Sequence, residues 1–286
     1  MITTMTKVCG LIGDPLAHSV SPAMHNAAFE CLKLDYIYLP FRVKNEHLKK
    51  AIEGAQSLGI RGLNVTIPHK VDIIPLLNEL DPPAERIGAV NTIVNDEGNL
   101  KGYNTDAGGF MEALLQGGFK PQNKKAVVLG AGGASRAVCF ALAESGAEVI
   151  ILNRQQEMHW AVGLAVSVSE LCQRQVNALE LSEDNLKASL EDAELLVNAT
   201  SVGMSPDAGQ TPVGKKLLKP AMVVFDVVFN PLKTRLLAEA EEAGAKTISG
   251  IDMLVWQGAL AFELWTGLKP PVEIMKAAAL EALKEQ

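Results

Sequence analysis

Apolar and polar positions along this chain fall into two kinds of block. Short runs of consecutive apolar residues recur, and longer stretches with helical spacing lie between them. Lys7–Gly13 reads as a buried strand, and Ser21-Pro22 then opens a helix, with Ser21 as the cap and Pro22 at the first helical position. Tyr36–Phe41 predicts a second strand, Asn45–Leu58 a helix stopped by Gly59, and Gly62–Thr66 a short third strand. Asn91–Asn95 and Asn99–Tyr103 flank the turn-rich Asp96-Glu97-Gly98, which predicts a hairpin.

The pattern changes after Asp106. Lys125–Gly130 is a run of consecutive apolar positions, the kind that a parallel sheet covered on both faces requires. A helix over Gly132–Ser145 and a strand over Glu148–Asn153 follow. Leu195–Asn198, Met222–Val228 and Lys246–Ile248 continue the alternation, so the expectation is α/β with a doubly wound sheet. Met253–Gln286 reads as two helices separated by Gly267-Leu268-Lys269-Pro270-Pro271 and has no strand of its own. It is expected to pack back on the first domain. The second domain, residues 107–250, is then an insertion into a first domain built from residues 1–106 and 251–286.

A length of 286 residues allows one large domain or two modest ones, and the alternation selects two. A net charge of -7 removes the basic field that a duplex nucleic-acid binder needs. It leaves room for an anionic small molecule, which a few local cations can hold. No apolar run approaches the ~20 residues of a membrane span, and Met1–Lys7 has no apolar signal core. Cys9, Cys31, Cys139 and Cys172 form neither a CxxC pair nor a Cys/His cluster, and read as reduced thiols of a cytoplasmic protein. His18, His25 and His69 share no HxH or HxxxH spacing, so they read as structural and no metal site is expected. A homodimer is left open, because pattern alone does not separate an interface patch from core.

Two sets of residues carry candidate chemistry. Gly130-Ala131-Gly132-Gly133-Ala134-Ser135 lies between a strand and a helix, where glycine lets backbone N–H groups approach a pyrophosphate at the helix N-terminus. At the end of the next strand stand Asn153 and Arg154, where an NAD site typically has an acid. Arginine suits a 2′-phosphate, which favours NADP, while the nearby Glu157 keeps NAD open. The second set is polar and sits at strand ends: Ser19 and Ser21, Asn64 and Thr66, Asn91 and Thr92, and Asn104 to Asp106. Hydroxyls and amides both donate and accept, which suits a polyhydroxylated substrate. Lys70 and Asp106 are the ionisable members. A lysine of tuned pKa and a carboxylate can move a proton to or from a hydroxyl while a hydride passes to nicotinamide. The bland alternatives are a surface lysine and an aspartate that caps the helix over Phe110–Gln116.

Taken in order, these motifs resemble those of the shikimate dehydrogenase family over nearly the whole chain. They are Gly13-Asp14-Pro15-Leu16-Ala17-His18-Ser19-Val20-Ser21-Pro22, Asn64-Val65-Thr66-Ile67-Pro68-His69-Lys70, Ala89-Val90-Asn91-Thr92, Gly102-Tyr103-Asn104-Thr105-Asp106, Gly130–Ala134 and Asn198-Ala199-Thr200-Ser201-Val202-Gly203-Met204. Gly250-Ile251-Asp252-Met253-Leu254-Val255-Trp256-Gln257 looks like the family's C-terminal signature. The resemblance implies an N-terminal α/β substrate domain completed by C-terminal helices, with an inserted Rossmann-like dinucleotide domain. It implies reversible reduction of 3-dehydroshikimate to shikimate with NADPH. Lys70 and Asp106 would be the catalytic pair, with Ser19, Ser21, Asn64, Thr66, Asn91 and Gln257 around the substrate. Gly130, Ala131, Gly132, Gly133, Ala134, Asn153, Arg154, Thr200, Ser201, Val227, Gly250 and Met253 would line the NADP site.

The chain departs from the family pattern twice. Phe229 stands where a tyrosine that helps bind the substrate carboxylate is usual, and Met158 stands where a second basic residue often follows the arginine. Two readings therefore stay beside the first. One is an NAD-dependent quinate/shikimate dehydrogenase, and the other is a catalytically silent protein that senses dinucleotides.

Overall fold

A computed structural model describes residues 2–17 and 19–285; His18 lies outside the described residues. The chain divides into two compact units, Met1–Thr105 with Val255–Gln286, and Asp106–Leu254.

The first unit runs β1 (Lys7–Gly13), α1 (Ser21–Cys31), β2 (Tyr36–Arg42), α2 (Leu48–Ser57), β3 (Gly62–Val65), β4 (Glu79–Leu80), α3 (Pro82–Ile87), β5 (Thr92–Asp96) and β6 (Asn99–Tyr103). Its six strands lie in the order β2-β1-β3-β5-β6-β4. β1 pairs parallel with both β2 and β3, while β5 pairs antiparallel with β3 and with β6. The chain passes from β1 to β2 on one side and then crosses to β3 on the other. The order therefore reverses between β1 and β3, and ligands of open α/β sheets bind outside the carboxyl ends of strands at such a point. Ile12, Ile52, Leu63, Val65, Ile73 and Ile93 belong to one buried cluster of this unit.

α1 does not start with a Ser21 cap. The helix already includes Ser21, Val20 holds the cap position, and no side chain caps it. The cause is the tight turn before it: the Ser19 N–H donates to the Leu16 carbonyl at 3.1 Å, and the Met24 N–H donates back to the Val20 carbonyl at 3.1 Å. The Ser19 hydroxyl instead accepts from the Ser21 N–H at 3.3 Å.

The second unit contains most of α4 (Thr105–Gln116), then β7 (Lys125–Leu129), α5 (Gly133–Glu144), β8 (Glu148–Asn153), α6 (Met158–Cys172), β9 (Val176–Glu180), α7 (Glu183–Leu190), β10 (Leu195–Asn198), β11 (Val223–Asp226), α8 (Arg235–Glu242) and β12 (Lys246–Ser249). All pairs are parallel, in the order β12-β11-β10-β7-β8-β9. This is the doubly wound Rossmann arrangement, with its switch between β7 and β10. Val127, Leu129, Leu152, Leu196, Val224 and Leu236 form its buried core.

α9 (Gly250–Thr266) and α10 (Val272–Lys284) end the chain. α10 packs on α1. Trp265 near the end of α9 is fully buried; its Nε1 donates to the Ile93 carbonyl at 3.0 Å, and its carbonyl accepts from the Tyr36 hydroxyl at 3.3 Å. Both divisions between the units fall inside helices, α4 and α9, so no loop punctuates them in the sequence.

Candidate active site

In the first unit, buried amides and hydroxyls from five stretches of chain converge. The Tyr38 hydroxyl donates to Asn64 Oδ1 at 2.7 Å, and Asn64 Nδ2 donates to Thr92 Oγ1 at 3.1 Å. Asn91 Nδ2 donates to Thr105 Oγ1 at 2.9 Å and to Gln257 Oε1 at 3.2 Å, while Asn91 Oδ1 accepts the Thr105 N–H at 2.7 Å. Asn64, Asn91, Thr92, Thr105 and Gln257 are all buried. Buried polar groups need partners, and these partners orient each amide, so its N–H and C=O ends are set before any ligand arrives. Ser21 is buried and hydrogen-bonds toward Tyr38, whereas Ser19 and Thr66 are half-buried.

The loop after β3 is tied down at several points. The Thr66 N–H donates to the Ile12 carbonyl at 2.9 Å, and the Val90 N–H donates to the Lys70 carbonyl at 2.8 Å. Between them His69 is fully buried, with Nε2 2.7 Å from the Val43 carbonyl. A carbonyl only accepts, so this contact puts the ring proton on Nε2. His69 is thus a pin for the segment that carries Lys70, whose side chain is half-buried. Asp106 is buried and follows Thr105 directly. It sits inside the first turn of α4 instead of capping it. His25 is wholly buried, stacked on Tyr38 at 4.4 Å with Trp265 at 5.2 Å. Burial pushes its pKa down to about 3, against an opposing influence from Asn64. It is therefore a neutral filler at working pH.

The second unit holds the glycine loop. Gly130 follows β7 directly at φ +97, and a Cβ there would lie 2.9 Å from Thr200 Cγ2 and 3.2 Å from the Ala199 carbonyl oxygen. Glycine is required both by the backbone angle and by the approach of the β10 loop. Gly132 caps α5 in extended conformation, with open space around its Cα. Ser135 is fully buried and its Oγ has no hydrogen-bond partner. This N-terminus has room and free backbone donors, so it can hold a pyrophosphate. Asn153 is buried, and Arg154 is exposed at the end of β8 and pairs with Glu157.

A polar network missed in the sequence joins the ends of β10 and β11. Asn198 Nδ2 donates to Asp226 Oδ1 at 2.9 Å, and Thr234 Oγ1 donates to Asp226 Oδ2 at 2.6 Å. The Thr200 hydroxyl donates to Asn198 Oδ1 at 2.6 Å, and the Val228 N–H donates to Asp226 Oδ1 at 3.1 Å. The loops that carry Thr200, Ser201 and Val227 are thereby fixed from beneath. Burial pushes Asp226 up to about 6, and its hydrogen bonds to Thr234, Val228 and Asn198 oppose that rise. The sequence signal was faint: an Asn and an Asp each closing an apolar strand run. Gly250 has a packing role of its own, since a Cβ there would lie 2.2 Å from the Val227 carbonyl oxygen. Met253 is buried and Phe229 half-buried. Among the described residues no group of three or more His, Cys, Asp or Glu side chains is arranged to hold a metal ion.

A chain that contains both a Rossmann sheet with a glycine loop and an α/β unit with a buried amide–hydroxyl network is a dinucleotide-binding α/β protein of the dehydrogenase kind. Three family models match the chain: the shikimate dehydrogenase substrate binding domain over residues 11–93, shikimate / quinate 5-dehydrogenase over 113–224, and the shikimate 5'-dehydrogenase C-terminal domain over 250–280. A shikimate dehydrogenase (NADP(+)) of Methanopyrus kandleri is 51% identical over 98% of this chain and 97% of its own. A solved shikimate dehydrogenase in complex with NADP+ is 44% identical with a TM-score of 0.94, covering 99% of this chain and 98% of its own. The Thermus thermophilus shikimate 5-dehydrogenase, solved with NADP(H) and shikimate, is 43% identical with a TM-score of 0.87, covering 96% and 99%. The chain belongs to the shikimate dehydrogenase family.

Proposed function

We propose that the protein is an NADP-dependent shikimate dehydrogenase, which reversibly reduces 3-dehydroshikimate to shikimate in aromatic amino acid biosynthesis. The observation that carries this reading is the buried chain of amides and hydroxyls from Tyr38 through Asn64 and Asn91 to Gln257. It offers fixed donors and acceptors to a ring bearing several hydroxyls. The proposed substrate domain is residues 1–106 and 251–286, and the proposed NADP domain is 107–250. Ser19, Ser21, Asn64, Thr66, Asn91 and Gln257 bind and orient the ring. Lys70 and Asp106 handle the proton. Bound NADPH supplies the hydride. At the ketone carbon that would receive it, Lys70 Nζ would stabilise the growing charge on the oxygen and give up a proton there, and Asp106 would accept a hydrogen bond from the hydroxyl so formed. Gly130–Ala134 hold the pyrophosphate, Arg154 meets the 2′-phosphate, and Thr200, Ser201, Val227, Gly250 and Met253 position the rest of the cofactor. The protein is proposed to be cytoplasmic, in keeping with Cys9 and Cys139, which are thiols buried in the core.

Steady-state rates with shikimate and with quinate, each with NADP and with NAD, test the reading. The expected result is the highest kcat/KM for shikimate with NADP. A preference for quinate with NAD would replace it, and nucleotide binding without turnover on any of the four pairs would indicate a silent sensor.

A further inference from the structure

The turn after β8 contains a charge pair, Arg154 with Glu157. Asn153 Nδ2 donates to the Glu157 carbonyl at 2.9 Å and holds the Gln155–Glu157 turn against the strand end. The Glu157 side chain is consequently 22% exposed, while that of Arg154 is 68% exposed. Arg154 Nη2 donates to Glu157 Oε1 at 2.5 Å. The hydrogen bond from Arg154 holds the Glu157 carboxyl below its ordinary pKa, so it is an anion at neutral pH. The stretch Asn153-Arg154-Gln155-Gln156-Glu157-Met158 contains one cation and one anion, and the two are paired.

We infer that Glu157 sets the cofactor preference of this protein, weakening its discrimination for NADP over NAD by occupying the Arg154 guanidinium that a 2′-phosphate would use. The inference rests on the NADP reading of Arg154. A phosphate monoester carries about -1.5 to -2 charges near pH 7. To reach Arg154 it must share the guanidinium with a carboxylate that its own backbone keeps close by. NAD has a hydroxyl at that position. The hydroxyl is not repelled by Glu157 and can donate to it, as it does to the acid of NAD sites. Glu157 therefore acts in opposite directions on the two cofactors. Met158 beside it adds no positive charge to offset this.

Fluorescence titration of the full-length protein with NADPH and with NADH measures both dissociation constants, for the parent, Glu157→Gln and Arg154→Ala. Glutamine keeps the shape and the acceptor oxygen but removes the charge. The NADPH constant of Glu157→Gln is expected to fall about two- to fivefold, the size of one exposed charge interaction. Its NADH constant should stay level or rise. Glu157→Lys should move the ratio of the two constants further the same way, and added salt should shrink both effects. An unchanged ratio in Glu157→Gln and Glu157→Lys overturns the inference, while a loss confined to NADPH in Arg154→Ala keeps the NADP reading of that subsite. Equal losses of both cofactors in Arg154→Ala overturn the reading and the inference together.

Discussion

The backbone at Lys70 is held by its neighbours. The His69 ring on the Val43 carbonyl and the Val90 N–H on the Lys70 carbonyl fix its backbone on two sides. A lysine so placed can be lost without disturbing the loop. Lys70→Ala is therefore expected to lower kcat by at least ~10²-fold, the usual range for a proton-transfer group, while the dissociation constant for NADPH stays close to the parent's. Stopped-time assays and nucleotide fluorescence on the same preparation check both halves. A near-normal kcat would remove Lys70 from the chemistry. Tyr38 teaches the complementary point. It reads as an ordinary apolar strand position, yet its hydroxyl fixes the Asn64 amide at 2.7 Å, and nothing local to β2 announces that contact. Only the parallel pairing of β1 with β2 and β3 brings the two together.

At the scale of elements, β10 and β11 end side by side, with Asn198 opposite Asp226 in the parallel register. Their polar ends are buried together, and Asp226 is raised to about 6 from an ordinary 3.8, chiefly because burial disfavours its charge. Between those two values the folded protein keeps a proton that the unfolded chain has released. The stability from this group is thus fully present below about pH 4 and is lost as the pH rises through about 6. The loss is on the order of 1 kcal/mol per pH unit across that window. Asp226→Asn stays neutral throughout and keeps Oδ1 as the acceptor for Asn198 and Val228. The difference in melting temperature, variant minus parent, should therefore become more positive by a few degrees between pH 4.5 and pH 7. A difference that stays flat would mean that Asp226 titrates in the fold as it does in the unfolded chain. The start of α1 belongs to this scale too. Ser21-Pro22 correctly announced a helix, but the turn from Leu16 to Ser19 moved the cap to Val20. Helix starts depend on how the chain arrives, and a dipeptide signal does not contain that.

At the scale of the whole molecule, each unit has a sheet and a buried cluster of its own. Residues 107–250, expressed alone, are expected to fold and to bind NADPH without responding to shikimate. Far-UV circular dichroism and nucleotide fluorescence measure this, and an unfolded fragment would show that the inserted segment depends on the rest of the chain. Much of this architecture was legible along the sequence. Lys7–Gly13, Glu148–Asn153 and Leu195–Asn198 coincide with observed strands, because a strand buried on both faces must be apolar along its length, and that is a local property. The glycine loop and the polar strand ends were legible for a similar reason: close backbone approach and hydroxyl recognition restrict residue type at one position. Contacts between distant stretches were not. Tyr38 on Asn64, Gln257 on Asn91 and Asn198 on Asp226 depend on strand order, register and the path of each loop. By itself the sequence determined the α/β class, most of the strands and the glycine loop between β7 and α5. Tertiary structure alone decided which amide orients which, which carboxylate loses its water, and which charge already has a partner. Hydrogen bonds and desolvation are set by neighbours in space, and most of those neighbours are far away along the chain.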